Sequence, residues 1–269
     1  MDAVVTAGGR LTGAFAKESG VQVKALIELG GRTLLERTVS ALAGSDRVDR
    51  IAVVGPKEVR EVAEAAGATH YVPEEGSGID NLMAGIRALK ATGQIVMSTS
   101  DLVVVQPEDI DDLIGRVPAS AALSYVVVTS EEFLTAFPKR ENKHFVGLRD
   151  GQFVGGCVFV VDVGALQRIE SELRAMFLAR KVPVVLASFI GARVLLQFAL
   201  ARLLGRWVAP TTAELKARVE RSLGCQAVIV RGASPRLALD VDTRKDWRFA
   251  AAHVAELECP EPVAQGAAG

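Results

Sequence analysis

The amino-acid sequence predicts an α/β protein with a mostly parallel sheet covered by helices on both faces. Short apolar runs of strand length alternate with amphipathic segments of helical spacing over residues 1–115, which is typical of βα units. The pair Asp150-Gly151 lies between two apolar runs and predicts an antiparallel hairpin. Residues 163–225 carry mainly helical patterns, so we expect a helical insertion there.

Composition indicates a folded protein. Of the 269 residues, 49% are hydrophobic and 23% are charged, which is enough apolar material for one large core or two modest ones. We therefore expect a single domain over residues 1–257 and a flexible tail over 258–269. The net charge of −1 argues against a general nucleic-acid-binding protein, which would carry a surplus of basic residues.

Cysteine usage indicates a reducing compartment. Cys157, Cys225 and Cys259 are odd in number and far apart, so they predict neither a disulfide framework nor a zinc site. A cytoplasmic location is the expectation that follows.

The first half of the chain predicts alternating strands and helices. Strands are expected at 4–6, 50–55, 69–72 and 94–99, and helices at 33–42, 56–66, 79–91 and from 107 onward. Thr33 followed by Glu36 is a capping-box pattern for the first of these helices. Residues 10–22 contain Gly13 and Gly20 and are expected to be irregular, as a loop over a site.

The second half predicts a different order of elements. Strands are expected at 121–129, 145–148, 153–161, 226–230 and 237–241, and helices at 163–181, 211–223 and 243–256.

Residues 182–204 are apolar enough to require a membrane test. Arg193 divides this stretch, and its uncharged runs are shorter than the ~18 residues that a spanning helix needs. No transmembrane span is therefore expected. A buried core helix, a subunit interface in a possible homodimer and a helix on a membrane surface stay open, with core or interface favoured.

A glycine-rich turn directly follows the first predicted strand. In Ala7-Gly8-Gly9-Arg10 the glycines would let backbone N–H groups come close to a phosphate. Lys24 would add a positive charge near the same place. An ordinary turn between a strand and a helix is the alternative.

Acidic residues stand near the ends of other predicted strands. Asp101 follows the strand at 94–99, and Asp240 and Asp242 stand at the end of the strand at 237–241. Open parallel sheets bind ligands beyond the carboxyl ends of their strands, so Asp101 and the glycine-rich turn can face one crevice. Helix capping is the alternative for Asp240 and Asp242.

These residues together resemble the MobA-like nucleotidyltransferases, a family with a three-layer Rossmann-like GT-A fold. The run Ala7-Gly8-Gly9 matches the start of the family loop A-G-G-x-G-T/S-R-M. Leu11 replaces the next glycine of that loop, and Gly13 stands at its arginine. Arg10 is a candidate to supply the missing charge, and Lys24 matches the family's phosphate-binding lysine.

The resemblance also implies a nucleotide segment and a metal site. Residues 76–86 look like the family's second nucleotide segment, which implies contacts from Gly78 and Asn81. An ordinary position near a helix start is the alternative for Asn81. Asp101 and Asp242 match the family's Mg²⁺ ligands, so the resemblance implies a catalytic set of these aspartates with Lys24.

The reaction that the resemblance implies is transfer of a nucleoside monophosphate from a nucleoside triphosphate (NTP), with CTP or GTP favoured. The acceptor would be a small phosphorylated molecule, and pyrophosphate would be released. An acceptor phosphate is already ionised, so no strong general base is needed. This fits a chain whose histidines, His70, His144 and His253, stand in no convincing context for a base.

The acceptor side is less specific. Lys139, Arg140 and Lys143 could meet an anionic acceptor, and a solvated loop is the alternative. Cys157 stands where relatives carry an asparagine beside the acceptor, and we expect it to be a small buried residue.

Two other functions remain open at the level of sequence. A GT-A glycosyltransferase that uses a nucleotide sugar would usually carry Asp-x-Asp in mid-chain, which residues 100–103 lack. A non-catalytic nucleotide-binding or scaffold protein is suggested by the altered loop at Leu11 and Gly13. It predicts nucleotide binding without pyrophosphate release.

Overall fold

The computed structural model describes residues 1–140, 143–179 and 191–258, in which a large mixed sheet forms the central layer. The strands of the structure are β1 (Asp2–Thr6), β2 (Glu28–Leu29), β3 (Arg32–Thr33), β4 (Arg50–Gly55), β5 (His70–Pro73), β6 (Gln94–Thr99), β7 (Leu123–Thr129), β8 (Val146–Leu148), β9 (Gly151–Gly155), β10 (Val158–Asp162) and β11 (Ala227–Val230). β2 and β3 pair with each other in a separate two-stranded sheet. Its α-helices are α1 (Gly13–Ser19), α2 (Leu34–Ala43), α3 (Arg60–Ala65), α4 (Gly78–Leu89), α5 (Pro107–Arg116), α6 (Ser130–Ala136), α7 (Val163–Arg168), α8 (Glu170–Ala179), α9 (Ala192–Leu204), α10 (Thr212–Leu223) and α11 (Arg244–Glu258).

The main sheet has the strand order β5-β4-β1-β6-β10-β7-β9-β8, with β11 beside β7. β1 pairs in parallel with β4 and β6, and β4 pairs in parallel with β5. Beyond β6 the pairing is antiparallel, except that β11 runs parallel to β7. The parallel part is the open α/β sheet that the sequence predicts, and β8 and β9 form the predicted hairpin.

Helices cover both faces of the sheet because alternate residues of a strand point to opposite sides. Ala3 and Val5 of β1 belong to a core that includes apolar side chains of α2 and α5. Val4, between them, belongs to a second core with α4 and α7. The arrangement confirms the predicted three-layer fold class.

Several predicted helix starts and ends are close to the observed ones. Thr33 caps α2, because its side chain accepts a hydrogen bond from the Glu36 backbone N–H. Thr211 caps α10 through a reciprocal capping box with Glu214. The predicted helix at 163–181 is instead two helices, α7 and α8, which meet at Ile169.

The segment predicted as an irregular loop at 10–22 contains α1. None of the residues of α1 is buried, so its sequence carries no apolar stripe that would indicate a helix. Gly20 ends the helix with a left-handed backbone conformation at φ 73°.

Two predicted strands in the second half are also wrong. The run at 153–161 is broken between β9 and β10, because the Gly156 and Cys157 N–H groups donate to Val126 and Leu237 carbonyls. The segment at 237–241 begins in a 3-10 turn, Pro235–Ala238, and only Asp240 makes a β-bridge.

Only part of the apolar stretch at 182–204 is described. α9 covers its second half, and Val194 is the one residue of α9 that is buried, so α9 is not a buried core helix, one of the two favoured alternatives. Residues 180–190, Cys259 and the predicted tail beyond 258 lie outside the described residues. Among the helices described, none is long and apolar enough to cross a membrane, as expected.

Candidate active site

Two acidic segments are held side by side at the carboxyl end of β6. Asp101 follows this strand, and the Val241 N–H donates to the Asp101 carbonyl at 3.1 Å. Leu102 forms a β-bridge with Asp240, and the Val103 N–H donates to the Leu239 carbonyl at 3.0 Å. This backbone pairing brings Asp101, Asp240 and Asp242 together although they are far apart in sequence.

Lys24 reaches the same point from the other side of the glycine-rich turn. Its backbone N–H donates to the Gly9 carbonyl at 2.9 Å. Its Nζ donates to Asp101 Oδ2 and, at 2.8 Å, to Asp242 Oδ1. Burial alone would lower the pKa of Lys24, but the charges and hydrogen bonds of the two aspartates outweigh it and raise that pKa. Lys24 is therefore a firmly charged ammonium group.

The three carboxylates form a compact acidic cluster. One oxygen from each of Asp101, Asp240 and Asp242 lies within 4.8 Å of the others. Burial raises the pKa of Asp240, and the charges of Asp242 and Asp101 raise it further. Lys143, whose Nζ lies 2.5 Å from Asp240 Oδ1, lowers this pKa but does not outweigh the other effects. Burial would also raise the pKa of Asp242, but its contacts with Lys24 hold it below the usual value.

This donor set fits a hard divalent cation. Mg²⁺ is bound in proteins through one or two carboxylates together with phosphate oxygens and water. Asp101 is buried and is positioned further by Thr99, whose hydroxyl donates to Asp101 Oδ1 at 2.5 Å. Asp242 has a side chain that is 68% exposed and so faces solvent and any incoming ligand. One aspartate is thus fixed and the other is accessible.

The glycine-rich turn carries a contact that the sequence did not indicate. The Arg10 guanidinium donates to the Gly8 carbonyl at 3.0 Å and pairs with Glu74. A Cβ atom at Gly8 would lie 2.7 Å from Glu74 Oε2 and 3.2 Å from Asn81 Nδ2. A side chain at position 8 would therefore displace Glu74 from the turn. Glu74 follows β5, and its position after a strand was the only available signal.

The second predicted nucleotide segment lies beside this turn. Gly78 is the first residue of α4, which Ser77 caps through a capping box with Asp80. Asn81 is buried, and its Oδ1 accepts a hydrogen bond from the Glu75 N–H at 2.8 Å. A Cβ atom at Gly8 would lie 3.2 Å from its Nδ2, so Asn81 lies beside the glycine-rich turn, and Gly9 of that turn lies against the Lys24 side chain. Ala7, directly after β1, is fully buried.

The three basic residues before the hairpin, Lys139, Arg140 and Lys143, contact different parts of the structure. Lys143 reaches the acidic cluster, whereas Arg140 is buried and pairs with Asp246 in the first turn of α11. Lys139 pairs with Glu256 at 2.6 Å. Only Lys143 of the three therefore lies at the site.

Cys157 lies next to the acidic cluster. Its backbone carbonyl accepts from the Thr99 N–H at 3.1 Å. Burial raises the pKa of the Cys157 thiol well above its usual value, and the nearby charges of Asp240 and Asp101 add to this effect. The thiol is therefore neutral and is not an activated nucleophile.

A comparison with models of protein families shows which family the chain belongs to. A model described as the MobA-like NTP transferase domain matches residues 3–206. The chain belongs to this family. The resemblance inferred from the glycine-rich turn, Lys24 and the aspartates is confirmed, and so is the enzyme class, nucleotidyltransferase.

Solved structures of two transferases and a synthetase share the fold. A hypothetical transferase from Thermus thermophilus is 29% identical with a TM-score of 0.75, over 91% of this chain and 98% of that chain. A nucleotidyl transferase from Methanothermobacter thermautotrophicus is 18% identical with a TM-score of 0.55, over 95% and 97%. A CMP:2-keto-3-deoxy-manno-octonic acid synthetase complexed with CTP is 12% identical with a TM-score of 0.54, over 95% and 99%. No curated protein matches the chain.

Proposed function

We propose that this MobA-like NTP transferase is an Mg²⁺-dependent enzyme that transfers a nucleoside monophosphate from an NTP to a small phosphorylated acceptor. The observation that carries the proposal is the meeting of Lys24, Asp101 and Asp242 beside the glycine-rich turn. A positive side chain, free backbone amides and paired carboxylates are what binding of a metal-chelated triphosphate requires. The proposed location is cytoplasmic.

The donor triphosphate would lie against the turn at Gly8 and Gly9. Their missing side chains let phosphate oxygens approach the backbone N–H groups. Lys24 would donate to the same oxygens, since its Nζ is already placed between two carboxylates and keeps its charge. Arg10 would exchange Glu74 for a phosphate oxygen and so supply the charge that the family loop places at Gly13.

The metal site would use Asp101 and Asp242, with Asp240 behind them. Bound Mg²⁺ would neutralise charge that builds up on the transferring phosphoryl group. Asp101 would position the ion because Thr99 and the buried backbone pairing hold its carboxylate in place. Asp242 would complete the site from the solvent side, after exchanging Lys24 for the ion.

In the proposed transfer, an ionised phosphate oxygen of the acceptor attacks the α-phosphorus of the NTP. A new P–O bond forms there, and the bond from the α-phosphorus to the bridging oxygen breaks. The electron pair of that bond leaves with pyrophosphate. No proton has to be removed from the nucleophile, so the side chains orient the reactants and stabilise charge.

The acceptor would bind next to Lys143. Its ammonium group is the one cation of the basic cluster that reaches the carboxylates, and it is largely buried against them. A negatively charged acceptor would pair with it on the side of Gly156 and Cys157, away from the glycine-rich turn. Arg140 and Lys139 are engaged with α11 and have no part in this contact.

CTP and GTP are the proposed donors. The support is the family resemblance and a structural relative that is complexed with CTP. Asn81 Nδ2, which faces the turn, can donate to a carbonyl oxygen of either base.

The test is binding of each of the four NTPs, with and without Mg²⁺, followed by pyrophosphate release with a panel of small phosphorylated acceptors. Base-selective, Mg²⁺-dependent stabilisation should reach about 2.7 kcal/mol at ligand concentrations of about 100 times Kd. No stabilisation by any NTP in a folded sample would contradict the proposal. Binding without pyrophosphate release for any acceptor would favour the non-catalytic alternative.

A further inference from the structure

The outer side of α9 carries an exposed apolar face. Among the described residues, most large apolar side chains that remain exposed lie between positions 196 and 207. Leu203 is 83% exposed, Trp207 66% and Leu196 58%, and Leu200 and Leu204 lie beside them. These five residues are called the α9 apolar face below.

Their spacing places them on one side of the helix. Leu196, Leu200 and Leu203 follow each other at intervals of four and three, which is the period of a single helical stripe. The opposite side of α9 is also apolar: Val194 is buried, and Phe198 packs against a small cluster that includes Val127 and Phe153. The helix is thus anchored on its inner side and leaves an apolar surface open on its outer side.

The chain segment that carries this face is basic. Between residues 173 and 213 the sequence contains six basic residues and no acidic one, although the whole chain has a net charge of −1. Arg193, Arg202 and Arg206 are exposed on α9 or directly after it. Within the described ranges, neither Arg202 nor Arg206 forms an ion pair.

We propose that the α9 apolar face and its arginines dock the enzyme on the surface of an anionic lipid bilayer. Leucines would enter the boundary between headgroups and acyl chains, Trp207 would lie at the interface, and the arginines would pair with lipid phosphates. Its 13 residues make α9 too short to span a bilayer core, so it lies on the membrane instead of crossing it.

A second copy of the chain fits this face less well. A two-fold interface brings the same surface patch of both subunits together, so arginines would face arginines. No carboxylate between residues 173 and 213 is available to pair with them. An anionic bilayer complements both the apolar residues and the charge.

The test is co-sedimentation of the full-length protein with vesicles. Vesicles of phosphatidylcholine and phosphatidylglycerol in equal parts should bind it, and vesicles of phosphatidylcholine alone should bind about tenfold less. Leu203→Glu and the pair Arg202→Glu with Arg206→Glu should each weaken binding about tenfold or more. The pair Lys57→Glu with Arg60→Glu, which reverses two exposed basic residues elsewhere on the protein, should bind as the unmodified protein does.

Fluorescence offers a second readout. In Trp247→Phe, Trp207 is the only tryptophan left, and its emission should shift to the blue when anionic vesicles are added. Circular dichroism would show that each variant is folded. The proposal is overturned if anionic vesicles bind no protein, if the α9 variants bind like the control pair, or if light scattering shows a dimer that Leu203→Glu dissociates. NTP binding is measured separately, so failure here leaves the proposed transferase activity standing.

Discussion

Lys24 and Asp242 stand 218 positions apart in the chain and meet in a hydrogen bond of 2.8 Å between Nζ and Oδ1. This contact joins the end of the glycine-rich turn to the segment that precedes the last helix. With Asp101 and Asp240, it forms a cluster in which two lysines face three carboxylates. The cluster keeps one negative charge in excess, which favours a cation.

Asp242→Asn should remove the Mg²⁺ dependence of NTP binding. In the presence of Mg²⁺ we expect NTP affinity to fall about tenfold or more, because an amide is a weaker ligand for a hard cation than a carboxylate. Asp112→Asn is the matched control, since it removes an exposed aspartate that pairs with Arg116 on α5. Isothermal calorimetry with and without Mg²⁺ measures both, and an Asp242→Asn variant that keeps normal Mg²⁺-dependent affinity would refute the metal assignment.

Lys24→Met should destabilise the ligand-free protein by about 3 kcal/mol or more, because it leaves the buried Asp101 carboxylate without its partner. The aspartates raise the pKa of Lys24, so its contribution to stability is complete at neutral pH and is lost only as pH rises through that raised pKa. Urea denaturation at pH 7 measures the loss. Added Mg²⁺ should restore part of the stability, and unchanged stability in chelator would count against the interaction.

The sequence indicates some of these site residues because they stand next to elements with clear local patterns. Asp101 follows β6, and the glycine-rich turn follows β1; both strands are short apolar runs. Since parallel strands end at one edge of a sheet, their placement in one crevice could be predicted. The role of Asp242 came from the family resemblance, which also agrees with the charge that Lys24 was expected to supply beside the turn.

The sequence did not indicate which charged side chains would pair with each other at the site. Lys143 and Asp240 are 97 positions apart, and Arg10 and Glu74 are 64 apart, so each contact depends on the assembled fold. The secondary structure around Leu237 could not be predicted from the sequence either. Leu237 and Leu239 are fully buried, and an apolar run of that length looks alike in a buried strand and in a buried 3-10 turn.

Gly85→Ala should destabilise the protein although alanine favours a helix. A Cβ at Gly85 would lie 2.5 Å from Val4 Cγ1 and 3.1 Å from Val54 Cγ2, so α4 would be pushed off the sheet. We expect a net loss of about 1–3 kcal/mol.

The control for this change is Gly115→Ala in α5. Gly115 is exposed, and the nearest atom to its Cβ would be Arg47 Nη2 at 3.8 Å. Alanine there should raise the free energy of unfolding by up to about 1 kcal/mol. Urea denaturation of the two variants should therefore give shifts of opposite sign, and equal shifts would contradict the close packing of α4.

Arg140 and Asp246 should behave as one buried unit. Arg140 is 5% exposed and Asp246 7% exposed, and Asp246 also accepts hydrogen bonds from the Thr243 N–H and hydroxyl. Arg140→Met should cost about 3–5 kcal/mol because it leaves the Asp246 charge buried and unpaired. In Arg140→Met with Asp246→Asn the cost should be smaller than the sum of the two single changes. Additive effects in urea denaturation would show that the two side chains are independent.

The Asp150 carboxylate, which binds the first residue of α10, should make the free energy of unfolding depend on pH. Its carboxylate accepts hydrogen bonds from the Thr212 N–H at 3.1 Å and the Thr212 hydroxyl at 2.5 Å, and Arg231 lies 3.3 Å away. Burial would raise the pKa of Asp150, but these hydrogen bonds and the Arg231 charge hold it below the usual value. A group with a lowered pKa stabilises the fold above its unfolded pKa and loses that effect as pH falls through the folded value.

Asp150→Ala should therefore cost about 1 kcal/mol at neutral pH, a modest value because the carboxylate is partly solvated. The difference from the unmodified protein should shrink as the pH falls below about 4, where Asp150 binds a proton in the unfolded chain, and should vanish as the pH falls through the lower pKa of the folded state. Asp112→Ala, which removes an exposed ion pair on α5, should show a smaller loss at neutral pH. Urea midpoints of the three proteins at several pH values test this, and a difference that stays constant down to pH of about 3 would show that the Asp150 charge makes no contribution.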